Sequence, residues 1–163
     1  MKIQELPNNA TLKIFHSSRK LTDSEVSSVL EEFDSFEQNW QAHGANVFSA
    51  REMRYNQFLL VGVDESKVRL SGCSRDSLIH AMEAIERKLG LTFLDSPQVV
   101  YRENDKIKCA ERMEFKKIAS QGLVNAETIV FNNIIESVSD LNKWEVPMKD
   151  SWHARAFLPK ELA

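Results

Sequence analysis

The sequence predicts an α+β protein, a βαββαβ sandwich core with an α/β C-terminal extension packed on it, and three stretches carry that reading. Phe58-Leu59-Leu60-Val61-Gly62-Val63 is apolar almost throughout, which marks a strand covered on both faces. After a polar loop, Leu78, Met82, Ile85 and Leu89 recur at helical spacing, with Ile79 widening the stripe, and Gly90 suits the left-handed residue that ends many helices. Leu21-Thr22-Asp23-Ser24-Glu25-Val26 is a strong helix start, with Thr22 and Glu25 as capping box and Leu21 and Val26 as hydrophobic staple.

In chain order, residues 1–9 read as a leader with a turn at Pro7-Asn8-Asn9. Thr11 to His16 is a first strand, Leu12 and Ile14 facing one way and Phe15 the other. The first helix carries Val26, Val29, Leu30, Phe33 and Trp40 on one stripe and should stop by His43-Gly44. Phe48 to Arg54 is a second strand, turned by Tyr55-Asn56-Gln57 into the apolar third. In the second helix Ser74 is the expected N-cap and Lys88 suits the last turn. Val99-Val100-Tyr101 is the expected fourth strand, with Ile107 to Ala110 returning beside it after a turn.

Strand, helix, strand, strand, helix, strand is the ferredoxin-like order of two split βαβ units. The core is expected over 1–112 and the extension over 113–163, in one compact domain. The extension offers a short helix from Met113 to Gln121 closed by Gly122, a strand at Thr128 to Phe131 and a short helix capped by Ser137. The two helices cover one sheet face, and the C-terminal aromatics are the candidates for the other.

With 42% apolar and 28% charged residues the chain has the composition of a globular protein. A net charge of −3 argues against nucleic acid as partner. No apolar run reaches the roughly 20 residues of a membrane helix, and no signal segment is legible, so no membrane partner and a cytoplasmic location are expected. Two cysteines make no disulfide framework, and with four scattered histidines they give no zinc spacing. Neither cofactor nor metal is expected.

The topology brings Ala42-His43-Gly44 and Asp64 to Ser74 to one end of the core. Cys73 beside a helix N-terminus could be a stabilised thiolate, with His43 as base and Asp64 as its orienter. Packing is the stronger account of Cys73, since free cysteine is among the most buried residue types. Gly72, Ser74 and Arg75 could instead cradle an anion at the same helix end. Trp144, Trp152 and His153 form the other cluster, either a recognition surface or a tail packed inside.

Arg19-Lys20-Leu21-Thr22, Trp40 with His43-Gly44, Arg54-Tyr55-Asn56, Ser71-Gly72-Cys73-Ser74, Phe131-Asn132-Asn133 and Ser151-Trp152-His153-Ala154-Arg155 together resemble a family of short bacterial proteins often labelled "ABC transporter ATPase". The resemblance spans nearly the whole chain and implies no catalytic residues. The label itself requires G-x-x-x-x-G-K-[ST] around the phosphates, and none of the five glycines begins that motif. No ATP hydrolysis is expected. The sequence therefore points to a small non-catalytic binding or protein-interaction module, a homodimer among its possible forms. The alternative is a thiol-dependent enzyme or anion-binding protein using Cys73 and His43.

Overall fold

The computed structural model describes residues 2–94 and 98–159, with backbone alone at Leu94. The chain is mixed α+β with antiparallel sheets, and it divides into two compact units. One holds residues 1–94 with 136–139; the other holds 95–135 with 140–163.

The first unit runs β1 (Thr11–Ser17), α1 (Asp23–Glu37), β2 (Gln41–Ala42), β3 (Ala45–Asn46), β4 (Ser49–Arg54), β5 (Phe58–Val63), α2 (Gly72–Leu89) and β6 (Phe93–Leu94). Its main sheet has the order β4-β5-β1-β6, every pair antiparallel. All six residues of β5 are buried, as an apolar strand in the middle of a sheet must be. Leu59, Val61 and Val63 join Phe15 on one face, where Val29 and Phe33 of α1 and Leu78, Met82 and Ile85 of α2 pack against them.

Both helix starts are fixed by side-chain oxygens on free amides. Thr22 caps α1, its Oγ1 accepting from the Glu25 N–H at 3.1 Å while Glu25 accepts from the Thr22 N–H at 3.0 Å. Arg19 grips the same carboxylate with both guanidinium nitrogens, at 2.9 and 2.6 Å. That bond, with the Thr22 N–H behind it, lowers the Glu25 carboxyl to about 2. Arg51 of β4 holds Asp34 of α1 in the same bidentate way, at 2.9 and 2.8 Å, and so ties helix to sheet.

Three expectations are corrected in this unit. The fourth strand of the sheet is β6, paired with His16 and Ser17 of β1, whereas Val99–Glu103 lies in the other sheet. Gly90, left-handed at φ +65°, ends α2 so abruptly that the chain meets β1 within three residues, on too few residues to show a strand pattern. Residues 136–138 flank the rest of that edge, with Leu12 N–H donating to Glu136 O and Val138 N–H to Ala10 O, each at 2.9 Å. The stretch read as a leader is core. A 3-10 turn at Ile3–Glu5 buries Ile3 and Leu6 against Gly62, where a Cβ would stand 2.5 Å from Leu6 Cδ1 and 3.1 Å from Ile3 Cδ1. These side chains close the sheet's second face at that point. Lastly, α1 stops at Glu37, ahead of the expected limit, so Trp40 lies beyond the helix and not on its stripe, and His43-Gly44 turns a small hairpin, β2–β3.

The second unit runs β7 (Val99–Glu103), β8 (Lys106–Ala110), α3 (Arg112–Ser120), β9 (Ile129–Phe131), β10 (Glu145–Pro147) and α4 (His153–Phe157). Its sheet order is β10-β9-β7-β8, again antiparallel. Asn104 and Asp105, both at positive φ, make the tight β7–β8 turn. Phe115 of α3 is fully buried against Val99, Tyr101, Val130 and Met148. Its ring lies 5.0 Å from Tyr101 and 4.9 Å, edge-on, from Phe157. The helix expected after Ser137 is a 3-10 turn, Val138–Lys143. No helix among the described residues is long and apolar enough to cross a membrane.

Candidate functional site

One end of the first unit gathers the α2 N-terminus, the β2–β3 hairpin and the loop leaving β5. Trp40, just before the hairpin, is buried, and its indole Nε1 donates to the Ser74 carbonyl at 2.9 Å. The Asp64 N–H donates to Phe48 O at 2.9 Å, joining the β5 exit to the strand that follows the hairpin.

Ser71, not Ser74, is the N-cap of α2. Its Oγ accepts from the Ser74 N–H at 3.0 Å, and the Ser74 hydroxyl oxygen accepts from the Ser71 N–H at 2.7 Å. This is a capping box with serine at both positions, and it leaves Ser74 buried with its hydroxyl committed. Cys73 is therefore the second residue of the helix, and it is exposed. Packing of the thiol, the competing account of Cys73, does not hold.

His43 sits at the exposed hairpin tip with φ +54°, next to Gly44 at φ +78°. Those angles make the two-residue turn whose twist matches the flanking strands. Among the described residues no hydrogen bond or ion pair joins His43 to Cys73 or to Asp64. The Asp64 carboxylate turns back on its own loop, accepting from the Ser66 hydroxyl at 2.5 Å and the Ser66 N–H at 3.0 Å. These bonds, the hydroxyl first, hold its carboxyl below the usual range, with Lys67 adding charge. Glu65 caps the Leu70 N–H at 2.8 Å and stands 3.8 Å from the Arg75 guanidinium. Gly72 is exposed, and a Cβ there would meet nothing within 4 Å. Of the amides in the first turn of α2, that of Ser74 is taken by the Ser71 hydroxyl, while Glu65 takes the Leu70 N–H just before the cap.

The C-terminal aromatics separate. Trp144 is buried, its ring 5.1 Å from Phe131 and its Nε1 donating to Asn133 Oδ1 at 2.7 Å, so it is packing and not surface. Trp152 is half-buried and stacks on His153, ring centroids 3.9 Å apart, with the Arg112 guanidinium 5.3 Å from the indole. His153 is buried, and its Nδ1 is hydrogen-bonded to the Ser151 hydroxyl at 2.7 Å. Burial first, then Arg112, lowers the imidazole to about 4, so it is neutral at physiological pH. No cluster of three or more His, Cys, Asp or Glu side chains suited to a metal ion occurs among the described residues.

The feature that sequence reasoning missed lies on α3 and in the turn just past its end. Met113 and Leu123 are 79% and 71% exposed, with Lys116 and Lys117 exposed between them, and Ile134 of the same unit is 67% exposed. A helical projection from buried Phe115 already puts Met113 on the opposite face, and that was the available signal.

No family model, curated protein or solved structure matches this chain.

Proposed function

We propose that the protein is a small interaction module that binds another protein through the outer face of α3. The observation that carries this is the exposure of Met113 and Leu123 around Lys116 and Lys117. Met113 in the first turn of α3 and Leu123, three residues past its end, are large apolar side chains left in water, and they lose burial that a partner would supply, roughly 2 kcal/mol for each one covered. The flanking lysines supply the polar rim usual at such contacts. In this reading the first unit is a ferredoxin-like scaffold, supported by its strand order and by the two helices sharing one core cluster. Kinship with the short bacterial family belongs to the same proposal, without ATP hydrolysis. The test compares the native chain with the Met113→Asp/Leu123→Asp double variant in sedimentation and in retention of proteins from the cell of origin. A stoichiometric partner or self-association lost in a variant that still melts cooperatively is the expected result. Identical behaviour of the two chains would overturn the reading.

One observation favours a second reading, a thiol-dependent activity: Cys73 is exposed to solvent in the first turn of α2. Alkylation of Cys73 in a Cys109→Ser background tests it. A midpoint well below the ordinary thiol value of about 8.5 supports thiol chemistry, and an ordinary midpoint removes it.

A further inference from the structure

We draw no further inference here: the strongest candidate, the exposed apolar side chains of Met113 on α3 and Leu123 just past its end in the second unit, belongs to the surface already proposed for interaction, and nothing in the structure shows what covers it.

Discussion

The indole of Trp40 donates a 2.9 Å hydrogen bond to the carbonyl of Ser74, and both residues are buried. Thirty-four positions apart, they clamp the exit of α1 to the first turn of α2. Trp40→Phe keeps most of the ring packing, including the contact with Phe36 at 5.2 Å, but deletes the donor. The variant should lose about 2 kcal/mol, the usual range for one buried bond plus the trimmed ring. Amide exchange should rise first in residues 72–76 and 40–47. Uniform loss of protection across the unit would mean that the clamp is not local.

The serine pair makes a sharper prediction about the same helix. Ser71→Ala removes the acceptor for the Ser74 N–H and should cost about 1 kcal/mol, whereas Ser71→Asp should nearly preserve stability because a carboxylate caps as well and complements the dipole. Thermal melts of the two variants decide it. Equal losses would show that the hydroxyl is not acting as a cap.

Gly62 tests what closes the second face of the sheet. Gly62→Ala drives a methyl to within 2.5 Å of Leu6 Cδ1 and should destabilise by about 1–2 kcal/mol through overpacking. Leu6→Ala alone should also destabilise, by opening a cavity. The double variant should be more stable than the sum of the two losses implies, because the new methyl occupies the vacated space. Strict additivity in denaturant melts would place Leu6 elsewhere in solution.

His153 makes stability fall between pH 6.5 and 4. Its imidazole titrates near 4 in the fold and near 6.5 when unfolded, so between those values the unfolded chain binds the extra proton. Stability from this group is full above pH 6.5, falls as pH drops toward 4, and is flat below, a total loss of about 3 kcal/mol. His153→Gln should flatten that window in a pH series of urea melts while costing stability at neutral pH. An unchanged pH profile would mean the imidazole is not held neutral.

The start of α1, the buried central strand and the left-handed helix ends were legible because each depends on neighbours within a few residues. The Thr22–Glu25 box, the six apolar positions of β5 and the left-handed residues Gly90 and Gly122 stand where local chemistry puts them. The fourth strand was misplaced because β6 is two residues long and is specified by its partner β1, not by its own pattern. The segment from Ile3 to Leu6 was set aside because only the missing side chain at Gly62 explains its burial, and that relation crosses more than fifty residues. At the candidate site, the surface position of Cys73 followed from a cap three residues earlier than the one chosen. His43 was read as a helix stop because His-Gly suits both a helix end and a hairpin tip.

The central claim is that the outer face of α3 meets a protein partner. A photo-crosslinking amino acid placed at position 113, and separately at 123, would report contacts in the living cell, with exposed position 83 on α2 as control. The account predicts the same discrete crosslinked species from 113 and 123 and none from 83. No discrete species from 113 and 123, or the same species from all three positions, would contradict it.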